Sequence, residues 1–161
     1  MRKIILLLFL AVITGCSDTP AQLKKLQEKV DELEKKLNDT YKPGFGEFMS
    51  IIQVHHAKLW FAGINGNWKL ADFEIGEIKE AMENLKKYQA DRAEIKTLPM
   101  VFPALDGVTA AVSARDVHDF KTKFENLTNT CNACHQAVGY GFNDVKIPAS
   151  PPFSNQIFKN K

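Results

Sequence analysis

Apolar positions along this chain recur at spacings of three and four, and no stretch alternates strongly enough to compete as a strand. In AQLKKLQEKVDELEKKLNDT, residues 21–40, the residues Leu23, Leu26, Val30, Leu33 and Leu37 keep a heptad rhythm while Glu and Lys fill the gaps. Fewer than three heptads is short for a stable coiled coil. The pattern therefore serves a self-associating stalk, an amphipathic helix folded on its own head domain, or a solvated spacer equally well. Tyr41-Lys42-Pro43-Gly44 breaks it, which puts the boundary between stalk and head there.

Beyond the break, four further helical stripes follow. Phe45, Phe48, Met49, Ile52, His56, Leu59 and Gly63 share one face, and Asn65-Gly66-Asn67 supplies a turn. A second helix, from about Leu70 to Arg92, directs Phe73, Ile78, Ala81, Leu85 and Tyr88 inward. A third begins near Pro99 and uses Val101, Leu105, Val108 and Val112, with Pro103 tolerated in its first turn. The fourth follows the capping-like Ser113-Ala114-Arg115-Asp116 and runs through Val117, Phe120, Phe124, Leu127, Cys131, Cys134 and Val138 to Gly139. Four amphipathic helices with short connections predict an all-α, antiparallel four-helix bundle over residues 44–139, preceded by a short coiled-coil-like stalk. Residues 140–161 form a tail in which Pro148, Pro151 and Pro152 favour an extended path. Phe153 and Phe158 either pack along the bundle or cover a site edge, and a disordered tail accounts for the composition equally well.

The first sixteen residues, MRKIILLLFLAVITGC, change the cellular setting. Arg2 and Lys3 precede an apolar run, Ile4 to Ile13, too short to span a bilayer, which needs about 20 residues. This reads as an export signal over residues 1–15. Its end, Ile13-Thr14-Gly15-Cys16, resembles the lipobox of bacterial lipoproteins, which implies lipidation of Cys16 and a membrane-anchored protein on the periplasmic side. Residues 16–43 are then the lipidated N-terminus and stalk. The chain has 21 Lys+Arg and 19 Asp+Glu; loss of Arg2 and Lys3 leaves 19 of each, a neutral mature protein with no basic patch for nucleic acid. With Cys16 acylated, two cysteines remain. A disulfide between thiols three apart would close a very small loop and staple nothing distant.

Those cysteines stand in TNTCNACHQAVG, residues 128–139, on the apolar stripe of the last helix. C-x-x-C-H is the attachment signature of c-type haem: two thiols one turn apart add across the two vinyl groups, and the adjacent histidine reaches the iron as axial ligand. One haem c per chain is expected, held by Cys131, Cys134 and His135. A closed zinc site needs four protein donors and these residues supply three, so a structural zinc or metal-handling lipoprotein is the third reading.

A four-helix bundle with CNACH late in its last helix resembles the class II c-type cytochromes, the cytochrome c′ group, over about residues 44–139. The resemblance implies Cys131 and Cys134 as thioether positions and His135 as proximal ligand. Two features depart from it. The chain runs 26 residues past His135, and the first head helix offers coordinating side chains where the family presents an apolar residue and leaves the sixth iron position open.

Geometry narrows the sixth ligand. His118 lies 17 residues before His135 on the same helix, roughly 25 Å away at about 1.5 Å per residue, and is excluded. The tail has neither Met nor His. In an up-down bundle the end of the fourth helix adjoins the start of the first, bringing Met49, Ile52 and His56 near the haem. His56, Met49 and an open position remain as alternatives. His55 falls at the stripe edge; with Lys58 it is assigned to solvent or to a haem propionate, and Trp60 and Trp68 to core or rim. No general acid, base and nucleophile constellation appears, so electron transfer with an unidentified redox protein is the leading expectation. A gas-binding or gas-sensing role, with a small gas as ligand, is the alternative. Homo-oligomerisation through the stalk is a further expectation.

Overall fold

A computed structural model describes residues 20–38, 40 and 42–159, all helical or irregular, with no strand among them. The export signal of residues 1–15 and the lipidation position Cys16 lie outside the described residues. The chain divides into two units, with the division at Tyr41/Lys42. In the first, α1 (Pro20–Asn38) carries Leu23, Leu26, Val30, Leu33 and Leu37 exposed on its surface. Its polar side is laced by i,i+4 pairs, Glu32 with Lys36 at 2.7 Å and Gln27 with Asp31 at 2.8 Å, each worth a few tenths of a kcal/mol. No helix among the described residues is long and apolar enough to cross a membrane.

The second unit holds α2 (Phe45–Ile64), α3 (Trp68–Tyr88), two single 3₁₀ turns (Ala93–Lys96 and Leu98–Val101), α4 (Phe102–Ala114) and α5 (Val117–Ala137). Local chemistry sets these limits. Glu47 folds back to accept from Gly44 N at the start of α2, Asn67 Oδ1 accepts from Leu70 N, and Asp116 Oδ1 accepts from His118 N and Asp119 N to open α5. Pro103 sits in the first turn of α4, where its missing N–H costs nothing. Helix α2 packs on α3 and on α5, and α4 packs on α3 and on α5. Between them Leu59, Ile78, Leu85, Leu105, Val108, Phe120, Phe124 and Leu127 are fully buried. Gly63 is a point of close approach: a Cβ there would meet the Phe120 ring at 2.1 Å.

The inward line of α3 differs from the sequence expectation. Phe73 is 54 % exposed and Tyr88 is 42 % exposed, whereas Ala71, Glu74, Ile75, Ile78, Ala81, Met82 and Leu85 are buried. The stripe is rotated by one residue at its start, because Glu74 rather than Phe73 faces α2. That buried carboxylate is compensated by α2. Its Oε2 accepts from His55 Nδ1 at 2.6 Å, and Lys58 Nζ stands 3.3 Å from Oε1, close enough for Coulomb attraction though without hydrogen-bond geometry. His55 and Lys58, assigned from sequence to solvent or to a propionate, are instead largely buried partners of Glu74.

Helix α5 ends in a Schellman motif. Gly139 adopts φ +83°, Tyr140 N donates to His135 O at 2.7 Å and Gly139 N donates to Gln136 O at 3.2 Å. This reverses the chain. The tail then runs back with Ile147 against the core and Phe158 buried on Phe61, ring centroids 5.6 Å apart, while Phe153 remains exposed.

Candidate cofactor site

The start of α2 and the end of α5 enclose a cavity of about 420 Å³, within the roughly 300–1,000 Å³ typical of small-molecule and cofactor pockets. Met49, Ile52 and His56 border it from α2, Met82 from α3, Leu98 and Val101 from the second 3₁₀ turn, and Cys131, Cys134 and His135 from α5; Asn143 and Val145 of the tail complete the wall. The five residues singled out in the head, Met49, His56, Cys131, Cys134 and His135, are thus brought to one space. His118 is not; it lies exposed in the first turn of α5.

The two cysteines are free and half-buried. Burial, and secondarily the neighbouring Cys134, pushes the Cys131 thiol up to about 11, so it stands protonated. Cys134 Sγ lies 3.5 Å from Thr97 Oγ1, whose own hydrogen goes to Glu94 O at 2.7 Å; the thiol is therefore the donor in that contact.

His135 has a defined tautomer. Its Nδ1 is 2.7 Å from Asn143 O, and a carbonyl only accepts, so Nδ1 carries the hydrogen and, in the neutral ring, Nε2 carries the lone pair. His56 is held the other way round. It is 4 % exposed, its ring lies tilted against Phe124 with centroids 4.4 Å apart, and burial lowers its pKa to about 4, leaving a neutral imidazole. Thr128 Oγ1 donates to Phe124 O at 2.9 Å and so accepts from His56 Nε2–H, also at 2.9 Å. The lone pair of His56 is then on Nδ1. A second cavity of about 280 Å³ touches the same imidazole and is walled by Gln53, Ala57 and tail residues 144–146 and 148.

Polar groups collect on one part of the main cavity wall. Arg92 Nη2 donates to Glu94 Oε1 at 2.5 Å and to Tyr140 Oη at 3.4 Å, and the phenol donates to Glu94 Oε1 at 3.4 Å. The hydrogen bond from Arg92 holds the Glu94 carboxyl below the usual range. Sequence reasoning missed Arg92, Glu94, Tyr140, Thr97, Thr128, Asn132 and Asn143. Thr128 had a signal, since it stands four residues after Phe124 and three before Cys131 on the same face. Asn143 had none, because it acts through its backbone.

No group of three or more His, Cys, Asp or Glu side chains arranged to hold a metal ion occurs among the described residues. No protein-family model, curated protein or solved structure matches the chain.

Proposed function

We propose that this chain is an exported, lipid-anchored, monohaem c-type cytochrome whose head is an antiparallel four-helix bundle, and that its work is electron transfer. One observation carries the reading. CNACH lies at the end of α5 with both thiols and the imidazole on a cavity that is apolar inside and polar at Arg92, Glu94 and Tyr140. Such a wall suits a broad, mostly apolar cofactor with a charged edge. The pairwise packing of α2, α3, α4 and α5 is what a four-helix bundle requires and supports that arrangement.

A haem held here supplies a one-electron couple; the protein supplies its attachment, orientation and surroundings. Cys131 and Cys134, one helical turn apart, would hold the haem through two thioether links, one to each vinyl group, with no net oxidation required. His135 would present Nε2 to the iron, its ring already oriented by the bond to Asn143 O. His56 is the candidate for the sixth position and Met49 the alternative. Both border the cavity, and the low pKa of His56 keeps it neutral and able to coordinate. Cys16 tethers the mature chain to the membrane.

The gas-binding reading has an observation of its own. His56 Nε2 is engaged by Thr128, so as long as that bond holds, this nitrogen does not reach iron.

Expression with a c-type maturation system decides the first point. Wild type should keep its haem through denaturing electrophoresis, and the C131A/C134A double variant should carry none; a haem-free wild type, or a double variant that retains haem, overturns the assignment and returns zinc to consideration. The ferric spectrum decides the second. A low-spin wild type that turns high-spin and binds carbon monoxide rapidly on His56→Ala supports His/His ligation. The same change on Met49→Ala names the methionine, and a wild type already high-spin favours gas binding. For the anchor, Cys16→Ser should release the head from membranes into the soluble exported fraction.

A further inference from the structure

Of the two residues between the motif cysteines, Asn132 and Ala133, neither takes part in attachment, and Asn132 uses both ends of its side-chain amide elsewhere. Its Nδ2 donates to Val145 O at 2.8 Å and its Oδ1 accepts from Val145 N at 2.8 Å, so the side-chain amide pairs with both backbone groups of one tail residue as a neighbouring strand would. Asn is a poor choice for a helix interior, where its amide competes with the backbone. Two neutral hydrogen bonds offset that cost.

What this pairing fixes lies two residues upstream. The Schellman reversal at Gly139 ties Tyr140 N to His135 O, and Asn143 N donates to Tyr140 O at 2.9 Å. Asn143 is therefore held on one side by the helix end and on the other by Val145 on Asn132. Between these two anchors its carbonyl meets His135 Nδ1 at 2.7 Å. Asn132 and His135 are three apart in α5 and face the same stretch of tail. The long tail, whose expected paths were packing along the bundle, covering a site edge or disorder, thus closes a loop from the histidine back to its own motif.

We infer that Asn132 is a positioning residue for His135: by clamping Val145 it holds the Asn143 carbonyl as the acceptor for Nδ1–H, fixing the tautomer that presents Nε2 and increasing the electron donation of the ring. The inference rests on the haem reading above. A stronger donor favours ferric over ferrous iron, so the strap lowers the reduction potential. Asn143 contributes only backbone to this contact, so its side chain is dispensable for it.

The test compares the mature haem protein with three variants, using reduction potential and the iron–histidine stretching frequency of the ferrous, photolysed carbon monoxide complex. Asn132→Val removes both clamp bonds. It should raise the reduced-to-oxidised ratio at a fixed poise on the order of tenfold, about 59 mV for one electron, and lower the stretching frequency. Asn132→Asp keeps the acceptor for Val145 N but loses the donor, and should fall between wild type and Asn132→Val. Asn126→Ala, at an exposed position of the same helix, should match wild type in both measurements. If Asn132→Val does not mature, the Asp variant carries the test alone: a shift of both readouts supports the clamp. Wild-type values in whichever of the two Asn132 variants matures, or a shift in Asn126→Ala equal to theirs, overturns the inference while covalent haem in the wild type leaves the cytochrome reading intact. A wild type without covalent haem overturns both.

Discussion

The two cavity histidines are held by opposite nitrogens and in opposite surroundings. His135, half-buried at the end of α5, gives its Nδ1–H to a tail carbonyl and keeps Nε2 free; His56, buried in the middle of α2, gives its Nε2–H to Thr128 and keeps Nδ1 free. The first is supported by a surface strap, the second by the aromatic core, where Phe124 packs tilted against its ring, Phe120 against Phe124, and Trp60 against both. One imidazole is thus oriented with its usual coordinating nitrogen available, whereas the other must give up a hydrogen bond before that nitrogen can coordinate. Two histidines on one cavity do not amount to two equivalent ligands.

The largest expected effect separates them directly. On the proposed cytochrome reading, His135→Ala should reduce the yield of mature haem protein by roughly ten- to a hundredfold, because the ligand proposed for the iron is lost. His56→Ala should leave the yield near wild type and alter only the spin state. Haem-stained protein per cell, normalised to total chain by immunoblot, measures both.

Acid sensitivity comes next and belongs to His56. Its pKa is about 4 in the folded chain against about 6.5 unfolded. Between these values the unfolded state binds the proton and the folded state does not. The stability contribution is therefore complete above pH 6.5 and lost as pH falls to 4, to a total of about 3 kcal/mol at 1.36 kcal/mol per unit. Urea unfolding of the haem-free chain at pH 7, 5.5 and 4 should show this decline, and His56→Phe should flatten it. Equal slopes in the two proteins would mean that the ring is not held neutral by burial.

How legible these features were depended on what kind of group made each contact. The stripe of α5 was readable because Phe120, Phe124 and Leu127 are large, apolar and correctly spaced, and the same periodicity put Cys131 and Cys134 beside the cavity. On α3 the same reasoning favoured Phe73, since an isolated aromatic outweighs a carboxylate in any apolar count. Glu74 is buried only because His55 and Lys58 reach it from another helix, and pairing across 19 or 16 residues has no periodic signature. The strap at Asn143 is more hidden still: a backbone carbonyl is the same in every residue, so no side-chain pattern announces that this one meets His135.

The buried side of the comparison can be disturbed without touching either histidine. Gly63→Ala drives a methyl into the Phe120 ring, and overpacking of this kind costs roughly 1–3 kcal/mol, with larger values where the backbone cannot yield. Because Phe120 backs Phe124, which packs against His56, the variant should lower the urea midpoint and, in the haem-loaded protein proposed, broaden the spin-state distribution. The iron–histidine signature of His135, supported by the strap, should stay at its wild-type value.

The smallest effect is the most informative, because its two parts have opposite signs. Thr128→Val replaces the acceptor of His56 Nε2–H with a methyl group of similar size. In the haem-free chain this leaves a buried N–H without its partner and costs about 1 kcal/mol or somewhat more. With haem bound, the same change removes the group that competes with iron for Nε2. A hydrogen bond worth about 1 kcal/mol shifts a two-state balance about fivefold, so the low-spin fraction should rise even as the haem-free protein becomes less stable. Thr128→Ser, which keeps the hydroxyl, should resemble wild type in both measurements. Were the low-spin fraction to fall in Thr128→Val, the hydroxyl would be orienting His56 toward the iron rather than restraining it, and the two histidines would be more alike than their hydrogen bonds make them.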